Sequence, residues 1–388
     1  MLELLFLLLP VAAFYGYVMG IRSARKNSES QKISQLGFYT KGINYFLHRD
    51  KDKAVDEFIR YYDSKVDHSF EEGIALGNLF RERGELDRAI KFHTGLMTKD
   101  GVEPAQRSIT LLELAKDFKR AGLLDKAEEI LFELISYNSE KQRALQLLLK
   151  VYEQEKEWHK ALNLISSYRN VLAGTVKQSE AEFLCEIASD EFANHVYSKA
   201  IDLFKKALSI NPECFRAGLS LAKIEIELGH FSNAIDYLVK TSELDIEMIG
   251  LLVKPLRKCF DANNYEQHMA ILNLWLEKSD SEAVVLELAN IILETKDKDS
   301  AEEFLMRRLK KTPNISLFTQ LLNYRLSELD GKSQERLAVL KSLIEIYQAK
   351  NPRFICHKCG FKSNILFWQC PSCHGWEKMK PNNKLNLD

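Results

Sequence analysis

The stretch 115–135, Ala115-Lys-Asp-Phe118-Lys-Arg-Ala-Gly122-Leu-Leu-Asp-Lys-Ala127-Glu-Glu-Ile-Leu-Phe-Glu-Leu-Ile135, decides the fold. A small residue, Ala115, is followed three positions later by a large one, Phe118, and twelve positions later by Ala127, with Gly122 between. Residues three or four apart share a helix face, so this is a pair of helices with marked contact positions. The small positions let two antiparallel helices cross closely, and the large ones fill the space to the next pair.

The same arrangement recurs along the chain. It is seen at Gly42, Tyr45, Ala54 and Phe58, and at Gly77, Phe80, Gly84 and Ala89. Further on come Tyr152 with Ala161, Ala188 with Ala200 and Phe204, Ala222 with Gly229 and Ala234, and Ala289 with Ala301 and Leu305. The alanines at 54, 89, 127, 161, 200, 234 and 301 are 34 to 39 residues apart with one double step, where Met269 takes the expected position. That period resembles the tetratricopeptide repeat. Pro212 and Pro313 stand where second helices end. Residues 35–349 are therefore expected to form an all-α, right-handed superhelical solenoid. The unit 249–279 fits worst, with Arg257 at a small position and Asn273 at a large one. Residues 315–349 read as a terminal helix pair with Leu317, Leu321, Leu322, Leu326 and Leu329 on its apolar face. Glu191 and Glu225 replace expected aromatic residues and either face a binding groove or are paired locally.

Composition agrees with this reading. The 388 residues exceed one ordinary core, and 17 glycines and 8 prolines leave few breaks in a chain made mainly of helices. A formal net charge of -1 excludes general attraction to nucleic acid or to an anionic membrane.

The N-terminal segment sets the topology. Residues 4–21 carry no charge, and 18 residues at about 1.5 Å each span roughly 27 Å, enough for a thin bilayer. Glu3 precedes the run, and Arg22, Arg25 and Lys26 follow it, the reverse of a secretory signal peptide. Residues 1–21 are thus expected to be a transmembrane anchor, with the N-terminus outside and the rest of the chain cytoplasmic. Residues 22–34 form its linker. Ala12, Gly16 and Gly20 share one face that could admit a partner helix, and Pro10 removes one backbone hydrogen bond from the span.

At the other end Cys356-x-x-Cys359 and Cys370-x-x-Cys373 form two knuckles ten residues apart. Such turns aim paired sulfurs at one ion, and two of them complete a tetrahedral set of four thiolates for zinc or iron. With every position filled by protein, hydrolytic catalysis is disfavoured. His357 and His374 adjoin the cysteines but are poorly placed to replace one. Two disulfides are the rival, disfavoured in a reducing compartment. Cys185, Cys214 and Cys259 lie singly in apolar patterns and are expected to be buried thiols. The segment 350–388 is too short for a core of its own, so metal should fold it, with Phe354, Phe361, Phe367, Trp368 and Trp376 packed around and some of them left over to dock on the solenoid. Within 351–388, six basic residues against two acids, a net of about +4, permit a nucleic-acid reading.

An apolar N-terminal run beginning Met1-Leu-Glu-Leu-Leu-Phe-Leu-Leu-Leu-Pro-Val-Ala-Ala, tetratricopeptide-like repeats and the knuckles Cys356-x-x-Cys359-Gly-Phe and Cys370-Pro-x-Cys373, in that order, resemble the lipopolysaccharide assembly protein B family of Gram-negative bacteria, also written LapB or YciM. The resemblance implies an inner-membrane adaptor facing the cytoplasm, with a C-terminal rubredoxin-like or zinc-ribbon domain. It implies that the adaptor brings the deacetylase of the committed step of lipid A synthesis to the membrane protease FtsH for degradation. Other inner-membrane lipopolysaccharide assembly proteins are implied as partners, and a homodimer is open. The short interval between the knuckles and His374 in a glycine position weaken an electron-transfer role, leaving zinc favoured over iron. No catalytic residues are expected, since no phosphate-binding loop, His-Glu-x-x-His, Gly-x-Ser-x-Gly or dinucleotide fingerprint occurs. A redox or nucleic-acid-binding role for the four cysteines is the alternative.

Overall fold

The computed structural model describes residues 14–22 and 37–382, apart from 46, 49, 64–68, 99, 100, 138, 261–263 and 327–330. Helices α1 (14–22) and α2 (37–45) come first. They are followed by α3 (Lys51–Asp63), α4 (Phe70–Arg83), α5 (Leu86–Met97), α6 (Pro104–Arg120), α7 (Leu124–Ile135), α8 (Lys141–Glu155), α9 (Trp158–Ser167) and the short α10 (Arg169–Leu172). Then come α11 (Lys177–Ala193), α12 (Tyr197–Ile210), α13 (Phe215–Glu227), α14 (Phe231–Ser242), a 3-10 helix at Ile246–Leu251, α15 (Val253–Lys258) and α16 (Tyr265–Lys278). The last are α17 (Glu282–Thr295), α18 (Lys298–Lys311), α19 (Ile315–Leu326) and α20 (Lys332–Lys350), then strands β1 (Phe354–Cys356), β2 (Lys362–Ser363) and β3 (Met379–Pro381). The chain divides into two compact units, Met1–Leu172 and Ala173–Asp388.

Helix pairs stack within each unit. The spaced alanines are the contact points: Ala89, Ala127, Ala161, Ala200, Ala234 and Ala301 are 0 % exposed and Ala54 1 %. Each is the fourth residue of the second helix of its pair. The turn before it is also shared. A residue with positive φ, namely Gly84, Gly122, Lys156, His195 or Gly229, precedes the second helix. The next N–H then reaches back to the carbonyl five residues earlier, as in Glu85 to Phe80 and Leu123 to Phe118, both at 2.9 Å. The helices cross closely at Gly77, where an added Cβ would lie 2.2 Å from His93 Nε2. His93 is wholly buried and bound to Asp117, which also accepts from Arg81 at 2.8 Å.

The irregular unit differs from expectation in register. The fourth residue of α16 is His268, 3 % exposed, and Met269 is half-buried beside it. The core there is filled by Leu256, Leu272 and Trp275, while Arg257 pairs outward with Glu287 at 3.3 Å and Asn273 is exposed. A bulky ring at the crossing position is accommodated because the first helix of this pair is broken into the 3-10 turn and the short α15. Burial holds the His268 ring at a pKa of about 4.

Among the described residues no helix is long and apolar enough to cross a membrane. Of the expected anchor, 1–13, including Ala12, lie outside the described residues, as does most of the 22–34 linker. The part described, α1, exposes Phe14, Tyr15 and Tyr17, and nothing lies within 4 Å of a Cβ built on Gly16 or Gly20.

Candidate metal centre

The two knuckles are built alike. In the first, the Cys356 N–H donates to the Phe361 carbonyl at 2.8 Å and the Gly360 N–H to the Cys356 carbonyl at 2.8 Å. In the second, the Cys370 N–H donates to Gly375 at 3.0 Å and the His374 N–H to Cys370 at 2.8 Å. Each turn therefore needs a left-handed residue just after its second cysteine. Gly360 provides it freely at φ 76°, while His374 adopts φ 52° despite its Cβ. A three-stranded antiparallel sheet in the order β2-β1-β3 holds the knuckles, with Ile355 opposite Lys362 on one side and Lys380 on the other.

The four cysteine sulfurs all lie within 4.8 Å of one another. Cys356 and Cys373 are 3.7 Å apart and Cys359 and Cys370 also 3.7 Å, and these two pairs share no member, so they are opposite edges of one figure. Four sulfurs at about 2.3 Å from a tetrahedral ion would stand about 3.8 Å from one another. The spacing therefore fits one ion and is well beyond the ~2.05 Å of a disulfide bond. Donation from the Phe361 N–H holds Cys359 down at about 6, and burial pushes Cys373 up to about 11. Four thiols this close cannot all ionise without a cation to offset their mutual repulsion. Neither His357 nor His374 joins the group: the His357 ring faces Glu247 at 3.7 Å.

Phe354 and Phe361 pack around the cysteines as expected, while Trp368 and Trp376 seat this ribbon on the helices of its own unit. Trp376, 5 % exposed, meets the edge of Phe183 of α11 with ring centres 6.2 Å apart. Trp368 lies against Phe215, and the Arg216 guanidinium sits over its ring at 5.8 Å. The Gln178 amide reaches the Trp376 carbonyl at 3.4 Å, and Lys380 pairs with Asp245.

A set of polar residues without any warning in the sequence completes the junction. The Glu377 carboxylate accepts the Arg216 N–H at 3.1 Å, so a ribbon side chain caps the first turn of α13, whose own N-cap residue, Cys214, makes no side-chain capping bond. Glu377 does this from φ 52°, a second left-handed residue with a Cβ. Arg216 in turn binds Glu186 at 2.5 Å, Ser189 at 3.0 Å and the buried Glu182 at 3.4 Å. Burial raises the pKa of both Glu182 and Glu377. Cys185 and Cys214 are wholly buried as expected, but they face each other at 3.8 Å beside this network rather than lying apart in apolar surroundings. Glu191 and Glu225 are paired locally, with Lys199 and with His230 at 2.9 Å.

Residues 354–381 match the rubredoxin metal binding domain, and residues 74–101 the tetratricopeptide repeat. The chain is 34 % identical over 385 residues to lipopolysaccharide assembly protein B of Escherichia coli (strain K12), with 98 % of each chain covered. It is 33 % identical over 392 residues to the protein of that name from Haemophilus influenzae, again with 98 % of both covered. Among solved structures, a tetratricopeptide repeat protein from Parabacteroides merdae shares 20 % identity at a TM-score of 0.34, over 66 % of this chain and 98 % of that one.

Proposed function

The chain belongs to the lipopolysaccharide assembly protein B family, and we propose that it acts in lipopolysaccharide assembly as a membrane-tethered scaffold rather than an enzyme. The observation that carries this reading is the match to proteins of that name over 98 % of both chains, together with the ribbon at 354–381. Residues 1–21 anchor the chain in the inner membrane, with the helical stack on the cytoplasmic side. There it brings the deacetylase of the committed lipid A step to FtsH. Confining adaptor and protease to one membrane raises their effective concentration, which lets weak contacts suffice.

Cys356, Cys359, Cys370 and Cys373 hold one zinc ion in this reading, and the ion's part is structural. The spacing of the four sulfurs supports one closed tetrahedral site with no position for substrate. The ion holds the two knuckles together, and the knuckles present Trp368, Trp376 and Glu377 to α11 and α13, so the site shapes a surface of the scaffold.

Depletion of the chain in its host, with the half-life of the deacetylase followed after protein synthesis is stopped, tests the reading. The half-life should lengthen, and should be restored by the full chain but not by one lacking residues 1–21. An unchanged half-life on depletion would refute the adaptor role, and full rescue without residues 1–21 would refute the tether.

A further inference from the structure

The last helix of the stack is apolar on two sides, of which the described residues cover one. Leu337, Lys341, Ile344 and Gln348 of α20 are half-buried toward α19, its partner helix, and the Gln348 amide reaches Ser316 at 3.3 Å. An adjoining side carries Val339 (60 % exposed), Leu340 (42 %), Leu343 (59 %) and Ile346 (54 %). At 100° per residue these four fall in one arc about a third of the helix circumference wide, as on a helix meant for burial. Earlier in the stack α5, α7, α12, α16 and α18 are each covered by the first helix of the next pair. After α20 the chain instead enters the ribbon, which seats on α11, α13 and the 3-10 turn. The stacking position beside α20 is thus left unfilled by the described residues that follow it.

Charge indicates what fits there. Lys332 and Arg336 bracket the apolar arc on its own meridian at one end and Lys350 at the other, all exposed. The apolar strip from Val339 to Ile346 is about 10 Å long, and the bracketing lysines are about 27 Å apart along the axis. A second copy of α20 is a poor match. Antiparallel pairing about Leu343 would bring Arg336 of one copy to Lys350 of the other, and parallel pairing would set each cation against itself.

We propose that the exposed face of α20 docks an amphipathic helix of a partner protein, with apolar residues at i, i+3, i+4 and i+7 flanked at both ends by aspartate or glutamate, in the position of a further repeat's first helix. The proposal stands apart from the adaptor reading above, because it needs neither the protease nor the deacetylase.

The test uses the full chain in nanodiscs of zwitterionic lipid, so that no detergent covers the face. The probes are two labelled 20-residue helical peptides with one leucine strip, one flanked by glutamates and one by lysines, read by fluorescence anisotropy. The acidic-flanked peptide should bind, more weakly as salt rises, and Leu343→Asp should weaken it about tenfold or more. Because Leu343→Asp could disturb folding, the triple variant Lys332→Glu, Arg336→Glu, Lys350→Glu, at exposed sites, provides an independent arm. It should reverse the preference toward the lysine-flanked peptide. Absence of binding, equal binding of both peptides, or no reversal would overturn the proposal. So would self-association removed by Leu343→Asp, which would assign the face to a second copy. Hydrogen-exchange protection of α20 appearing on addition of anionic phosphatidylglycerol to the nanodiscs would assign it to lipid, with the same consequence.

Discussion

Replacing Glu377 separates two effects that the ribbon combines at one residue. Its carboxylate caps the first turn of α13 through the Arg216 N–H, and its backbone is left-handed at φ 52°. Glu377→Ala removes the cap and leaves a part-buried N–H without its acceptor. Losses of this kind run at about 1–2 kcal/mol, so the ribbon and the first turn of α13 should open about five- to thirtyfold more often. Glu377→Gly removes the same carboxylate but relieves a left-handed Cβ, which costs roughly 1 kcal/mol. It should therefore recover much of the loss. Hydrogen exchange of peptides covering 354–382 and 214–220, in the metal-loaded chain, reads local opening directly. Protection should rank native above Glu377→Gly above Glu377→Ala. If glycine proves no better than alanine, the strain argument is wrong. If neither change alters exchange in 214–220, the ribbon does not cap α13.

Other consequences can be checked separately. The purified chain should be colourless and carry one zinc per chain by elemental analysis, and Cys356→Ser or Cys370→Ser should unfold the ribbon and deprotect the surface of α11 and α13 that Trp368 and Trp376 cover; a native exchange pattern in either variant would contradict a folding role for the ion. Gly77→Ala should destabilise the first unit by about 2 kcal/mol in denaturant titration although alanine favours helix, because the new Cβ would lie 2.2 Å from a His93 ring held by Asp117; a stabilised variant would show that the ring moves freely. The folded-state pKa of His268 lies near 4 and the unfolded one near 6.5, so the unfolded chain binds the extra proton and stability should fall as pH drops from 6.5 toward 4. His268→Leu should flatten that slope in thermal melts across the same range, and an unchanged slope would place the titration elsewhere.

The repeat was legible because its information is local. A small residue is needed wherever two helices cross, and the crossing returns at a fixed interval, so the alanines at 54, 89, 127, 161, 200, 234 and 301 could be read from spacing alone, and all are buried. The knuckles were legible for a similar reason, since the turn that converges two sulfurs spans four residues. Where the period was blurred, the reading slipped by one: His268, not Met269, takes the crossing position, because a histidine there gives no signal of a small residue.

What the sequence by itself determined was therefore the succession of helix pairs and the grouping of four cysteines, both products of contacts made within a few turns of chain. Only the tertiary structure decided where the ribbon sits, that Glu377 caps a helix 161 residues away in sequence, that Cys185 and Cys214 share a site, and that the described residues leave an apolar face of α20 exposed. Those contacts join segments with no common period, so composition and spacing carry no trace of them. They exist because helix ends, buried charges and apolar faces must find partners somewhere, and the folded chain alone determines which partner is near.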